Sequence, residues 1–160
     1  MSAVKRVAKL IAILAVVAVI AFLVMGKISA KGQAPGLVDG RLTRCPDKPN
    51  CVCSENREAA GHYIQALELS EQSAKNGKAR IVAIITESGG VITSEQADYI
   101  AATFTSPLFG FVDDLEIRVD IDAGLIHFRS ASRVGYGDFG ANRRRVELIQ
   151  LRFKQNHTNN

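Results

Sequence analysis

Leu115 to Arg133 reads L-E-I-R-V-D-I-D-A-G-L-I-H-F-R-S-A-S-R, and its alternation decides the fold. Leu115, Ile117, Val119 and Ile121 alternate with Glu116, Arg118 and Asp120, the period of a strand with one apolar and one polar face. A strand of an antiparallel sheet buries the first face and wets the second. Asp122-Ala123-Gly124 supplies a turn, and Leu125 to Arg133 returns as the second strand of a hairpin. Hydrophobic matching puts Val119 opposite Phe128 and Ile121 opposite Ile126. That register brings Asp120 near His127 and Asp114 near Arg133. It also sets Arg118 against Arg129, a repulsion that neighbouring carboxylates must relieve.

Arg129 to Arg145, R-S-A-S-R-V-G-Y-G-D-F-G-A-N-R-R-R, is the densest polar chemistry in the chain. Gly135, Gly137 and Gly140 spell G-x-G-x-x-G between a strand and a helix. A dinucleotide site would need a second parallel strand beyond that helix. The helix runs instead into the polar tail 155–160, so that reading is rejected. Asn142 is placed to cap the helix, whose Val146, Ile149 and Phe153 face the sheet. Arg143, Arg144 and Arg145 then fall in its first turn, where the helix dipole disfavours cations. Something negative must compensate: carboxylates of the chain itself, such as Asp113, Asp114 and Asp138, or a bound anion. The candidate cluster is therefore Arg129, Ser130, Ser132, Arg133, Gly135, Asp138, Asn142, Arg143 and Arg144 with Asp113 and Asp114. It serves as an internal lattice, or as a site for the acidic group of a small molecule or lipid headgroup.

R-S-A-S-R-V-G, D-F-G-A-N-R-R-R-V-E, the upstream F-V-D-D at Phe111 to Asp114 and C-P-D-K-P-N-C-V at Cys45 to Val52 together resemble one family, the domain of unknown function 1499. The resemblance covers about Cys45 to Phe153. It implies an envelope or plastid setting and brings no established activity. Cys53 stands where the resemblance leads one to expect a serine.

Leu10 to Met25 is an unbroken apolar run, near the short end of what spans a bilayer and slightly longer than a signal-peptide core. Lys5, Arg6 and Lys9 precede it and hold the N-terminus in the cytoplasm. The expectation is a basic segment at 1–9, a single-pass anchor or signal peptide at 10–26, a tether at 27–44, an extracytoplasmic domain at 45–154 and a polar tail at 155–160. In a bacterium this means the inner membrane with the domain in the periplasm, or a soluble exported protein if the segment is cleaved. Ile28-Ser29-Ala30 makes a poor cleavage site, which favours the anchor. Without those three N-terminal charges the 20 basic residues fall to 17, against 16 acidic ones. That balance, with no tryptophan and few aromatics, argues against a nucleic-acid partner.

Exported cysteines pair by default, and Cys45 and Cys51, separated by Pro46 and Pro49, form the expected disulfide. Cys51 and Cys53 are too close in sequence to bridge without strain. The remaining thiol is a spectator, a zinc ligand with His62, or a nucleophile with His62 as base. Zinc wants four ligands in paired spacings, which C-x5-C-x-C lacks. A thiol enzyme of redox or acyl-transfer type, using Cys51 or Cys53 with His62, is the rival to a binding or structural module. No H-E-x-x-H helix, phosphate loop or Ser-His-Asp set is present, and no cofactor is expected.

Between these landmarks, Gly61 to Leu69 reads as extended, and Ser70 or Ser73 caps a helix over 71–85 with Ala74, Gly77, Ile81, Ile84 and Ile85 on one face. Ser88-Gly89-Gly90 stops it. Val91 to Ser94 and Tyr99 to Thr105 are strands. Phe104, Phe109 and Phe111, around Pro107, are core aromatics, lining of an apolar cleft, or contacts to a bilayer. The order argues an α+β fold: a small antiparallel sheet of about four strands covered by two helices.

Overall fold

A computed structural model describes residues 3–69 and 76–155. The elements, in order, are α1 (Ala3–Ala30), β1 (Leu37–Val38), β2 (Arg41–Leu42), β3 (Cys51–Cys53), β4 (Leu67–Glu68), α2 (Gly77–Glu87), β5 (Val91–Glu95), β6 (Tyr99–Thr105), β7 (Val112–Asp120), β8 (Leu125–Ser132) and α3 (Ala141–Gln155). The α+β class holds, but the sheet has six strands rather than about four. Its order is β3-β8-β7-β6-β5, with β4 also paired to β8 and every pairing antiparallel. The two strands missing from the sequence expectation, β3 and β4, are two or three residues long and give no periodicity to read.

One sheet face carries Ile100, Ala102, Leu115, Ile117, Ile126 and Phe128. It packs against Ile81, Ile84 and Ile85 of α2 and Val146, Ile149 and Phe153 of α3. These helix stripes match the expected ones. Ser70, Ser73 and Ala74 lie outside the described residues, and the described helix runs from Gly77 to Glu87, capped by Ser88 with Gly89 at φ 86°.

The β7–β8 hairpin differs from expectation by two residues: Val119 pairs with Ile126 and Ile117 with Phe128, so Glu116 lies opposite Arg129 and Arg118 opposite His127. A slip of two preserves which residues share a face. The apolar side therefore accepts either register. The observed one replaces the expected Arg118–Arg129 repulsion with an ion pair. It also leaves Ile121 in the turn, 71% exposed rather than buried.

The other face, expected to be wet, is covered. The stretch expected as a tether, 27–44, is built into the fold. Leu37 pairs with Leu42 in a second, two-stranded sheet closed by Asp39 at φ 51° and Gly40 at φ 71°. Two positive-φ residues are what a tight hairpin turn requires, and Asp-Gly is its usual sequence. Leu42 and Cys53 pack with Tyr99 and Ala101 beneath that hairpin.

Helix α1 is 28 residues of high mean hydropathy, long and apolar enough to cross a membrane. Its last turns do not stand free. Gly26 and Ser29 are buried. A Cβ on Gly26 would lie 1.9 Å from the carbonyl oxygen of Phe109, so only glycine permits this approach. Ser29 Oγ accepts the Val112 N–H at 3.1 Å, and Phe22 packs its ring 5.1 Å from that of Phe109 and 6.2 Å from that of Phe111.

Candidate functional site

The hairpin and the glycine loop bring most of the expected cluster together, but around the protein's own carboxylates. Arg133 clasps Asp114 with two hydrogen bonds of 2.7 and 2.9 Å and donates a third to the Ser29 carbonyl at 3.1 Å. The expected Asp114–Arg133 pair thus forms diagonally, because Asp114 itself lies opposite Ala131. Arg129 donates to Glu116 at 2.7 Å. The other Glu116 oxygen accepts from the Tyr99 hydroxyl and from the Gly36 N–H, each at 2.9 Å. Glu116 is 0% exposed, and this carboxylate ties β7, β6, β8 and the 31–36 segment into one knot. Burial, together with the Glu116 carboxylate, pushes the Tyr99 hydroxyl well above its usual pKa, so it stays a donor. Arg129 Nε is buried with no acceptor among the described residues.

Farther along, Arg118 donates to Glu55 at 2.6 and 3.2 Å and to Asp120 at 3.1 Å. Glu55 also accepts the Leu42 N–H at 2.6 Å, which fastens the β1–β2 hairpin to the same charged face.

The N-terminus of α3 is organised by Asp138, not by Asn142 as expected. Asp138 accepts the Gly140 N–H at 2.9 Å and the Asn142 N–H at 2.7 Å. Burial alone would raise its pKa, but these backbone donors outweigh burial and hold it below the usual carboxylate range. Asn142 lies inside the helix, buried. Its amide nitrogen reaches the Asn50 carbonyl and Ser132 Oγ, both at 3.0 Å, and its oxygen accepts from Ser130 at 2.6 Å. Arg145, absent from the expected cluster, is a hub. It donates to Asp113 at 2.7 Å, to Ser130 at 2.9 Å and to Asn142 at 2.6 Å, and lies over the Phe104 ring. A spacing of i, i+3 from Asn142 to Arg145 was the available signal.

Arg143 and Arg144 meet no carboxylate among the described residues. Arg143 donates to the carbonyls of Gly61 and Tyr63, and the exposed Arg144 to that of Phe139 at 2.7 Å. Of the three arginines in the first turn, only Arg145 is compensated by a carboxylate among the described residues, that of Asp113; Arg143 and Arg144 rest on backbone carbonyls.

The glycine loop lines something else. Between it and α1 lies a cavity of about 460 Å3. Phe22 and Met25 of α1 form one wall, and Phe111, Val134, Tyr136 and Phe139 much of the rest. Ser106, Asp113, Ser132 and Asp138 are its polar edge, and among the described residues no arginine lines it. Phe139 is 98% exposed and holds φ at 53°, a conformation that costs a non-glycine residue energy and leaves its ring outermost.

The cysteines resolve simply. Cys45 and Cys51 are bonded, with Cα atoms 5.6 Å apart. Cys53 is free and buried, and burial pushes its thiol up from the usual value despite Arg129 nearby. The His62 ring is hydrogen-bonded to the Cys51 carbonyl at 3.0 Å. A buried, protonated thiol is a poor nucleophile. Among the described residues no group of three His, Cys, Asp or Glu side chains is placed to hold a metal.

No curated protein and no solved structure gives a significant match to the chain. The family model described as "Protein of unknown function (DUF1499)" matches residues 41–153, and so takes in the charged hairpin, both cysteines of the disulfide, the glycine loop and α3 as far as Phe153. The chain belongs to that family.

Proposed function

We propose that this protein is a membrane-anchored binding module, with the folded part outside the cytoplasm, that accepts an apolar chain in the cleft between α1 and the glycine loop. The arginine lattice is its frame. One observation carries the reading: Phe22 and Met25, at the end of the apolar run, form a wall of that cleft. With 10–26 in a bilayer, the cleft opens at the level of the lipid headgroups. Tyr136 and Phe139 then sit where aromatic side chains favour the interface. Ligand clefts are commonly apolar with a few polar groups at one edge, as here. The basic Lys5, Arg6 and Lys9 support an outward-facing domain, and the disulfide suits an oxidising compartment.

The test is photolabelling. Full-length protein in vesicles containing a photoactivatable fatty-acyl probe should be labelled at 132–141 as well as along α1. Val134→Trp fills the cleft and should abolish the first set while leaving the second. Labelling confined to α1 in the unsubstituted protein overturns the reading. A cytoplasm-specific reporter fused after Asn160 should stay silent, and activity there would reverse the topology.

A further inference from the structure

On the other side of the Phe22–Phe109–Phe111 stack lies a second hollow, of about 650 Å3. Its lining is Ile20, Leu23, Val24, Lys27 and Ile28 along one stripe of α1 and Lys31 just past its end, closed by the 108–110 loop. The spacing is helical, so these residues form one continuous face. Along the chain Ile20, Leu23 and Val24 come first, and Lys27 and Lys31 stand at the end nearest the sheet with Ile28 between them. Both lysines are exposed, and among the described residues they are the only charged side chains in the lining. The cleft on the opposite side carries only acidic ones, Asp113 and Asp138.

We infer that this groove is a site for an anionic phospholipid of the surrounding bilayer. Its acyl chain lies along Ile20, Leu23 and Val24 under Leu108, and its phosphate is held by Lys27 and Lys31. Three features support this occupant. The apolar-to-basic order reproduces the order of chain and headgroup in a lipid. No carboxylate in the lining opposes a phosphate. Leu108 is 74% exposed beside a helix fit to cross a membrane, where an apolar chain would cover it. Lysines at the end of α1 also suit its helix dipole, but the dipole gives no reason for the 108–110 loop to enclose the groove. Such a lipid would bridge α1 and the loop that receives Gly26, and so set the pose of the domain on the membrane.

The experiment uses full-length protein in nanodiscs of phosphatidylcholine with a minor fraction of phosphatidylglycerol, ejected into a mass spectrometer. Retained phosphatidylglycerol should exceed its bulk fraction by on the order of tenfold. Lys27→Ala with Lys31→Ala should remove that preference, and Lys27→Arg with Lys31→Arg should restore it. Leu108→Trp keeps both charges but fills the groove, and should also remove it. A preference that survives Leu108→Trp would mean plain surface attraction and overturn the site, as would equal retention of both lipids. Acyl-probe labelling at 132–141 should be unchanged by all these variants, which separates this inference from the cleft on the opposite side.

Discussion

The two faces of the central sheet are buried by different means. On one, Ile100, Leu115, Ile117, Ile126 and Phe128 meet two amphipathic helices. On the other, Asp114, Glu116, His127 and Arg129 are just as inaccessible, roofed by the β1–β2 hairpin and the end of α1. The apolar face gains stability from area removed from water and tolerates either of two hairpin registers. The charged face gains little net stability, because desolvation offsets most of the attraction between buried ions. What it supplies is choice. A two-residue slip would leave the apolar contacts serviceable but press Arg118 against Arg129 in a dry interior. Here the buried charges select the register, and the apolar residues drive the collapse.

The largest effects should come from breaking each face in turn. Arg129→Met leaves Glu116 charged and without its counter-ion in the interior, held only by the Tyr99 hydroxyl and the Gly36 N–H, and should cost about 3–5 kcal/mol. Adding Glu116→Leu removes that charge and should recover part of the loss, less the cost of leaving the Tyr99 hydroxyl and the Gly36 N–H without their acceptor. Ile117→Ala on the opposite face should cost about 2–5 kcal/mol, and no partner substitution on the charged face should recover it. Urea titration of the two single variants and the double mutant decides the matter. If Glu116→Leu fails to rescue Arg129→Met, the charged face contributes more than register.

This contrast also explains what could be read from the chain. Helix stripes and β5 to β8 were legible because each sets a periodic apolar face. The cover over Glu116 and Arg118 was not legible, since alternation says which residues share a face and not what covers it, while Asp120 at the open end stays partly wet. The cover is local in sequence but far from its target: Gly36 and Leu42 reach Glu116 and Glu55. Asp39-Gly40 between Leu37-Val38 and Arg41-Leu42 was the signal for that hairpin. Gly26 and Ser29 carried no signal, because an apolar helix reads the same whether its end is docked or free. Within the candidate site the residue types were legible and the partners were not. Arg133 found Asp114 as expected, whereas Asp138 rather than Asn142 met the helix N-terminus.

The disulfide sits at the start of β3, on the charged side. Opening it should cost about 2 kcal/mol, from the entropy of a short loop. Cys45→Ala with Cys51→Ala, compared by thermal melting with the unsubstituted protein, measures this. A loss as large as that of Arg129→Met would mean the bridge also holds the hairpin roof.

A smaller, pH-dependent effect should come from His127. Its ring is hydrogen-bonded to Ser54 at 3.2 Å. Burial pushes its pKa down; Glu55 and Asp120 pull it back up, and Arg118 and Arg41 add to the lowering. The folded state therefore binds the proton less readily than the unfolded chain. Stability is full above the ordinary imidazole pKa of about 6.5 and falls as pH drops from there toward the folded value. His127→Gln should flatten stability between pH 7 and 5. An unchanged slope would place the protonation elsewhere.

Arg144→Ala should be the smallest change, and it tests the comparison at its outer edge. Arg133 and Arg145 are committed to Asp114 and Asp113, but Arg144 is exposed and, among the described residues, hydrogen-bonds to the Phe139 carbonyl with no carboxylate partner. Removing an exposed side chain with one such contact should shift stability by no more than about 0.5 kcal/mol. The larger question is whether that arginine waits for an anion. A ligand that binds only the folded state raises its melting temperature, by the equivalent of about 2.7 kcal/mol at a hundredfold excess over the dissociation constant. Melting in phosphate, sulfate and dicarboxylates at constant ionic strength should give superimposable curves for the unsubstituted protein, because its buried guanidinium groups already hold carboxylates. An anion-specific rise lost in Arg144→Ala would show that the lattice is incomplete without a ligand. A rise that persisted in the variant would move the anion to Arg143, whose partners are also only carbonyls.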